Sequence, residues 1–252
     1  MTDDSALIEP RRIPGDPKID HPIILALFEP YLEILGKTLK LKKSSWKRLR
    51  FPSLSYATTA IEGKPCSLFG APLGSPQAAL VLERLIAMGA RKVVTFGCCG
   101  SLQFTLRTGD LVIPTQALSE EGTSAHYPLP AGLQAKADGR ISQALMKYCF
   151  EKHLPWAAGR VWTTDAIFRE TRGKVSRYAE MDILAVEMEM SALFTVAAYR
   201  GISLGGLLVV SDELARPSWK SGFLNPSFWL TSQKAAKAVV GACLGLSDSA
   251  DA

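Results

Sequence analysis

The chain has 252 residues, 47% hydrophobic and 21% charged, with a formal net charge of +5. That length and balance suit one large globular α/β domain with a single sizeable core. The charge is too modest to argue by itself for nucleic-acid binding, and no run approaches the ~20 apolar residues of a membrane span. Five cysteines without regular spacing argue against a disulfide scaffold. The N-terminal MTDDSALIEP is acidic and lacks an apolar signal core, so the expected location is the cytoplasm.

Residues 1–22 hold four prolines and few core candidates, which predicts an extended arm; it carries a PGDP sequence at 14–17. A first strand is expected over 23–27, closed by Phe28-Glu29-Pro30, with a helix after Pro30. The stretch 37–50, KTLKLKKSSWKRLR, has seven basic residues and no acid. It reads as a solvated face or subunit contact rather than a nucleic-acid site, with Arg50 kept as a candidate anion ligand. Strands at 56–61 and 66–69 flank the turn sequence Glu62-Gly63-Lys64-Pro65 and predict a hairpin. Ser75 followed by Pro76 predicts the N-cap of a helix over 77–88 that Gly89 stops.

A strand over 93–96 leads into Gly97-Cys98-Cys99-Gly100-Ser101, read as a glycine-rich turn. Its backbone amides can come close to an anion or a sugar, although the spacing matches neither a P-loop nor a Rossmann fingerprint. Another strand follows over 109–114, then a polar loop over 120–130 holding His126, and a helix over 141–153. A strand over 161–165 enters the loop 166–172, where Ile167 and Phe168 stand beside Arg169, Glu170 and Arg172. An aromatic beside polar forks suits a planar heterocycle; core packing explains Phe168 equally well.

The stretch 183–201, ILAVEMEMSALFTVAAYRG, sets two glutamates inside an apolar run. Burying unpaired charge is costly, so Glu187 and Glu189 require either a ligand or structural arginine partners. The expected structure is a short buried strand over 183–188 that turns at Glu189 into a helix capped by Gly201. Glu189 would then stand at a strand end, where open α/β sheets gather ligands. A continuous apolar strand over 204–210 ends in Ser211-Asp212-Glu213, placing another acid at a strand end; capping of the next segment is its plain structural alternative. A closing helix over 226–246 and a frayed tail over 247–252 complete the chain.

GSPQAALVLERLIAMGARKVVTFGCCGSL, GDLVIPTQAL, WTTDAIFRET, AVEMEMSALF and VVSDEL occur in the order and approximate spacing of the uridine/purine nucleoside phosphorylase family, which the chain resembles over residues 70–212 firmly and 23–69 loosely. The resemblance implies one α/β domain over 23–246 with a mixed, partly barrel-like sheet wrapped by helices. It implies homo-oligomers with shared active sites, a nucleoside substrate, inorganic phosphate as co-substrate, no resident cofactor and no metal. It makes Glu189 the ribose carboxylate, with Met188 packing on the sugar and Glu187 close by. A carboxylate suits both the sugar diol and the ribosyl cation of the transition state. Asp212 matches the acid that protonates a departing purine, which points to purine salvage, and Ile167, Phe168 and Arg169 fall at the base site.

The anion site departs from the family pattern. Phe28 and Leu32 replace the glycine and arginine of the first strand's turn, and Thr95 replaces a second arginine. Cys98 replaces the hydroxyl residue after Gly97, and the arginine donated by a neighbour has only Arg50 as its nearest match. Arg50, Ser75, Gly97 and Cys98 are therefore the candidates for a rebuilt anion site. Arginine–phosphate bonds are strong, so their loss opens two alternatives to phosphorolysis. One is a nucleosidase using water, with Glu29 or Glu33 as an imperfect match to the activating acid; the other is a non-catalytic nucleoside-binding protein.

Overall fold

Three apolar, β-branched runs lie side by side at the centre of the computed structural model, which describes residues 6–247. The first is β1 (Ile23–Ala26), all four residues buried. It pairs in parallel with β5 (Lys92–Ser101), and β5 pairs in parallel with β9 (Ser203–Glu213). Strands buried on both faces read as continuous apolar runs, which is why these three were legible.

On the open side of β1 the sheet continues through β4 (Lys64–Gly70), β3 (Leu54–Ile61) and β2 (Lys47–Leu49). The expected hairpin is β3–β4, turning at Glu62 and Gly63, both of which have positive φ. On the other side lie β6 (Leu111–Glu120), β7 (Trp156–Thr164), β8 (Ala185–Glu187) and the short β10 (Lys220–Ser221). The order is β10-β9-β6-β7-β8-β5-β1-β4-β3-β2, and the additional β9–β5 pairing closes five strands into a barrel. Strand β5 makes this possible. Its first half pairs with β1, while Gly100 and Ser101 pair with β8 after a register shift at Cys99/Gly100. Such a bulge bends the strand and raises its twist.

Helices α1 (Glu29–Thr38), α3 (Gly139–Glu151) and α6 (Pro226–Gly245) share one apolar core with the sheet. Helices α2 (Ser75–Ala87) and α5 (Met190–Arg200) share the other. The result is a single α/β domain whose mixed, partly barrel-like sheet is flanked by helices. Helix α4 (Arg172–Glu180) was not foreseen: its sequence, RGKVSRYAE, buries only Val175 and Tyr178, too few to show a period.

Two expectations are corrected. The glycine-rich stretch 97–101 is not a turn but the second half of β5, with Gly97, Cys98 and Cys99 in register with Leu208, Val209 and Val210. The N-cap of α2 is Gly74 (φ 76°), not Ser75, which is the helix's first residue. Glycine adopts that φ without the penalty a side chain would bring.

Residues 6–22 form no helix or strand. The PGDP sequence within them has a structural use. Asp16 is buried and forms an ion pair of 2.6 Å with buried Arg84 of α2, while Ile19 is buried and donates its amide to Met88 O at 2.9 Å. The first five residues of the arm and the tail over 248–252 lie outside the described residues. Among the described residues no helix is long and apolar enough to cross a membrane, and all five cysteines are free thiols.

Candidate active site

Short β8 is wholly buried and stops at Glu187, because that side chain turns back on the chain that follows. Its Oε2 accepts the amides of Glu189 and Met190 at 2.6 and 2.7 Å, and its Oε1 accepts the hydroxyl of Thr163. Two of the amides left open at the start of α5 are thereby satisfied by a carboxylate, which the helix dipole also favours. Among the described residues no arginine pairs with either glutamate. Glu189, 6% exposed, accepts the Gly74 amide at 2.7 Å, and Ser75 donates its hydroxyl to Met188 O at 2.8 Å. The starts of α2 and α5 are thus tied across the site. Helix α5 ends as expected at Gly201, in the left-handed conformation.

Burial pushes the Glu187 carboxyl up to about 7, with Thr163 and the two amides working against it. Burial and then the charge of Glu187 push Glu189 up to about 8. The donors favour charge on Glu187, and Glu189 carries the shared proton more readily.

Asp212 lies within β9. Its Oδ1 accepts the Ser211 hydroxyl at 2.7 Å and its Oδ2 accepts the Trp219 indole N–H at 2.8 Å. Gly100 permits this crowding. A Cβ there would lie 2.3 Å from Leu214 Cδ1 and 3.1 Å from Asp212 Oδ2. Glu170 also faces the site, and burial followed by the charge of Asp212 raises its carboxyl to about 7. Cys98 sits near both acid groups: burial, then Glu189 and Asp212, push its thiol up to about 12, so it is a neutral lining group.

These residues surround one cavity of about 650 Å³, within the ~300–1,000 Å³ usual for small-molecule sites. Glu187, Met188, Glu189 and Asp212 line it, with Ile167 and Phe168 at its rim, 52% and 96% exposed. Cys98 is the one anion-site candidate that reaches it. Gly97 does not, because it is a strand residue packed under Leu27 and Leu208. Ser75 is fully buried behind Met188, and exposed Arg50 follows edge strand β2, far along the sheet order. Arg169 is exposed and turned out of the cavity lining. Glu29 and Glu33 are also absent from the lining; Glu33 pairs with Lys37 at 2.6 Å.

The sequence reading missed Gly74, Thr163, Ser211 and Trp219 as supports of the acids. Ser211 had an adjacent signal in Asp212, and Glu170 stood in plain view beside Phe168. Trp219 had none, since only the β9–β10 pairing brings it back to Asp212. Among the described residues no group of three or more His, Cys, Asp or Glu is arranged to hold a metal.

A partly closed mixed barrel with buried acids gathered at one cavity defines an α/β domain built around a small-molecule site. Residues 23–244 match the family model described as the phosphorylase superfamily, and the chain belongs to that family, the nucleoside phosphorylases. It is 28% identical to a DeoD-type purine nucleoside phosphorylase of Brevibacillus brevis over 158 residues, covering 62% of this chain and 67% of the relative. It is 29% identical to a guanosine phosphorylase of Halorubrum lacusprofundi over 162 residues, covering 63% and 66%. The chain therefore spans about two thirds of the length of these relatives. A crystal structure of purine nucleoside phosphorylase from Toxoplasma gondii in complex with immucillin-H shares the fold, with a TM-score of 0.79 at 22% identity over 91% of this chain and 92% of that one.

Proposed function

We propose that the protein cleaves the N-glycosidic bond of a nucleoside with a purine-like base, transferring the pentosyl group to phosphate without a resident cofactor. One observation carries this reading: Glu187, Glu189 and Asp212 line the same cavity, and among the described residues no arginine pairs with either glutamate. Glu189 takes the sugar diol and faces the developing ribosyl cation, and Met188 packs on the ring. Asp212 delivers a proton to the departing base, with Glu170 beside it and Phe168 over the base. The family membership supports phosphate as acceptor. The reaction is placed in the cytoplasm, as part of purine salvage. The exposed apolar rim formed by Phe168, Ile167 and Leu73 suits cover by a second copy of the chain.

A second reading, hydrolysis, is favoured by the lining itself. Four carboxylates face the cavity against Arg172 and Arg216, and Arg216 is already paired with Glu213 at 2.8 Å. The deciding assay incubates a nucleoside panel with and without phosphate and follows free base and sugar. Phosphate-dependent release of base with ribose 1-phosphate supports phosphorolysis. Equal release in phosphate-free buffer, yielding free ribose, selects water. Nucleoside binding without any release would make the protein a binder and sink both catalytic readings.

A further inference from the structure

The basic run over 37–50 takes no part in the cavity. It folds as the end of α1, a short 3-10 turn (Lys43–Ser45) and the edge strand β2. Of its seven cations Lys37 is paired, with Glu33 at 2.6 Å. Lys40, Lys42, Lys43, Lys47, Arg48 and Arg50 are exposed, and among the described residues none of them pairs with a carboxylate. Taking these seven from the chain's 29 basic residues leaves 22 against 24 acids, so the positive balance of the protein resides in this stretch. Lys40 lies where a helix C-terminus favours positive charge, and charge on an edge strand discourages pairing. Neither accounts for the exclusion of acid over the whole stretch, because ordinary surfaces intersperse the two signs.

Two aromatic neighbours decide what such a face fits. Trp46 is turned inward: a Cβ at Gly36 would lie 3.1 Å from its Cζ2, so its ring is no stacking platform for a base. Phe51, which follows Arg50, is 58% exposed. Its carbonyl accepts Arg84 Nε at 3.3 Å, and the same guanidinium binds Asp16 of the arm, whose own carbonyl accepts Arg12. The ring is thus held on the outside through its backbone, beside cations from the run and from the arm. Four of the six unpaired cations are lysines, point charges without the fork that reads a base edge. Lysines around an exposed apolar ring match the boundary between anionic headgroups and acyl chains, where the charges are attracted and the ring leaves water.

We propose that this face binds an anionic lipid surface, with the lysines on the headgroups and Phe51 entering the layer beneath them. The contact is peripheral, since among the described residues no helix is long and apolar enough to cross a membrane.

The test is cosedimentation of the whole chain with vesicles of phosphatidylcholine, alone or mixed with phosphatidylglycerol, at low and at physiological salt. Binding is expected only on the vesicles that contain phosphatidylglycerol, and it should weaken as salt rises. Replacing three charges together, Lys42→Gln, Lys43→Gln and Lys47→Gln, should lower partitioning about 10²-fold, which is roughly fivefold for each. Phe51→Ala should lower it about tenfold at either salt. All four side chains are exposed, so neither variant opens the core; circular dichroism checks the fold. Equal binding to both kinds of vesicle, or binding to neither, overturns the proposal. So does a short DNA duplex that binds more tightly than the vesicles at the same salt, since that makes the face a nucleic-acid site. A triple variant of smaller mass than wild type by light scattering also overturns it, because the run would then be a contact between copies of the chain. None of these readouts uses nucleoside cleavage, so they stand whatever the reaction.

Discussion

The two ends of the cavity are built by opposite means. At the acidic end three of the carboxylates are held by hydrogen-bond donors: Glu187 by Thr163 and two amides, Glu189 by Gly74, Asp212 by Ser211 and Trp219. At the other end Leu27, Phe28 and Phe223 bring no polar side-chain group, and the rings of Phe28 and Phe223 pack on each other. Orientation by fixed hydrogen bonds is what a group acting on a transition state needs. Shape and dryness are what a hydrophobic group needs. The difference teaches that the buried acids of this cavity are positioned by hydrogen bonds, whereas its apolar wall is shaped by packing alone.

If that contrast is right, damage at the acidic end should dominate turnover. Glu189→Gln should fold normally and lose on the order of 10²-fold or more in kcat/KM, because it removes the carboxyl that can ionise opposite the cation developing in the transition state. Near-wild-type kinetics in the folded variant would take Glu189 out of the mechanism. Asp212→Asn should lose about 10²-fold on inosine or adenosine and much less on a nucleoside with an activated leaving base, since an activated base departs without the proton. Equal losses on both substrates would assign Asp212 to structure, and uridine cleaved faster than purines would remove the purine preference.

Stability offers a subtler way to sharpen the comparison. The paired glutamates are raised from the ordinary 4.5 to about 7 and about 8. The folded state therefore holds protons that the unfolded state has released, and stability from this source is present below about pH 4.5 and lost as pH rises toward 8. Urea unfolding of Glu189→Gln should accordingly show a shallower decline than wild type between those limits; parallel curves would mean the pair is not strained by burial. The smallest effect is expected at the junction of the two ends. Gly100→Ala must push Leu214 and Asp212 aside, at a cost of about 1–3 kcal/mol in denaturant unfolding, with some loss of purine turnover. An unchanged midpoint would show that the Asp212 pocket has slack.

Much of this was legible in the sequence, for identifiable reasons. Strands β1, β5 and β9 are buried on both faces and announce themselves as apolar runs, and Glu187 and Glu189 are conspicuous because charge inside such a run needs an explanation. The paths of the chain between elements were not legible. Glycines at 97 and 100 resemble a loop signal, yet the structure uses them inside a strand to clear Leu27 and Leu208 at one and Leu214 and Asp212 at the other. Ser75 looks like a cap, but its hydroxyl is drawn to Met188 O, a partner 113 positions away. Trp219 reaches Asp212 only after a hairpin return. Long-range partners of this kind leave no local periodicity to read.

The bond from the Gly74 amide to Glu189 also makes that amide a reporter. It donates to a buried carboxyl that is raised to about 8, so its nitrogen and proton resonances should follow the ionisation of Glu189 directly. A nucleoside diol arriving at the same carboxylate would compete for its lone pairs or share them. Either event would move one backbone signal, without label or substrate analogue, and would distinguish an empty site from a filled one in an otherwise unperturbed protein.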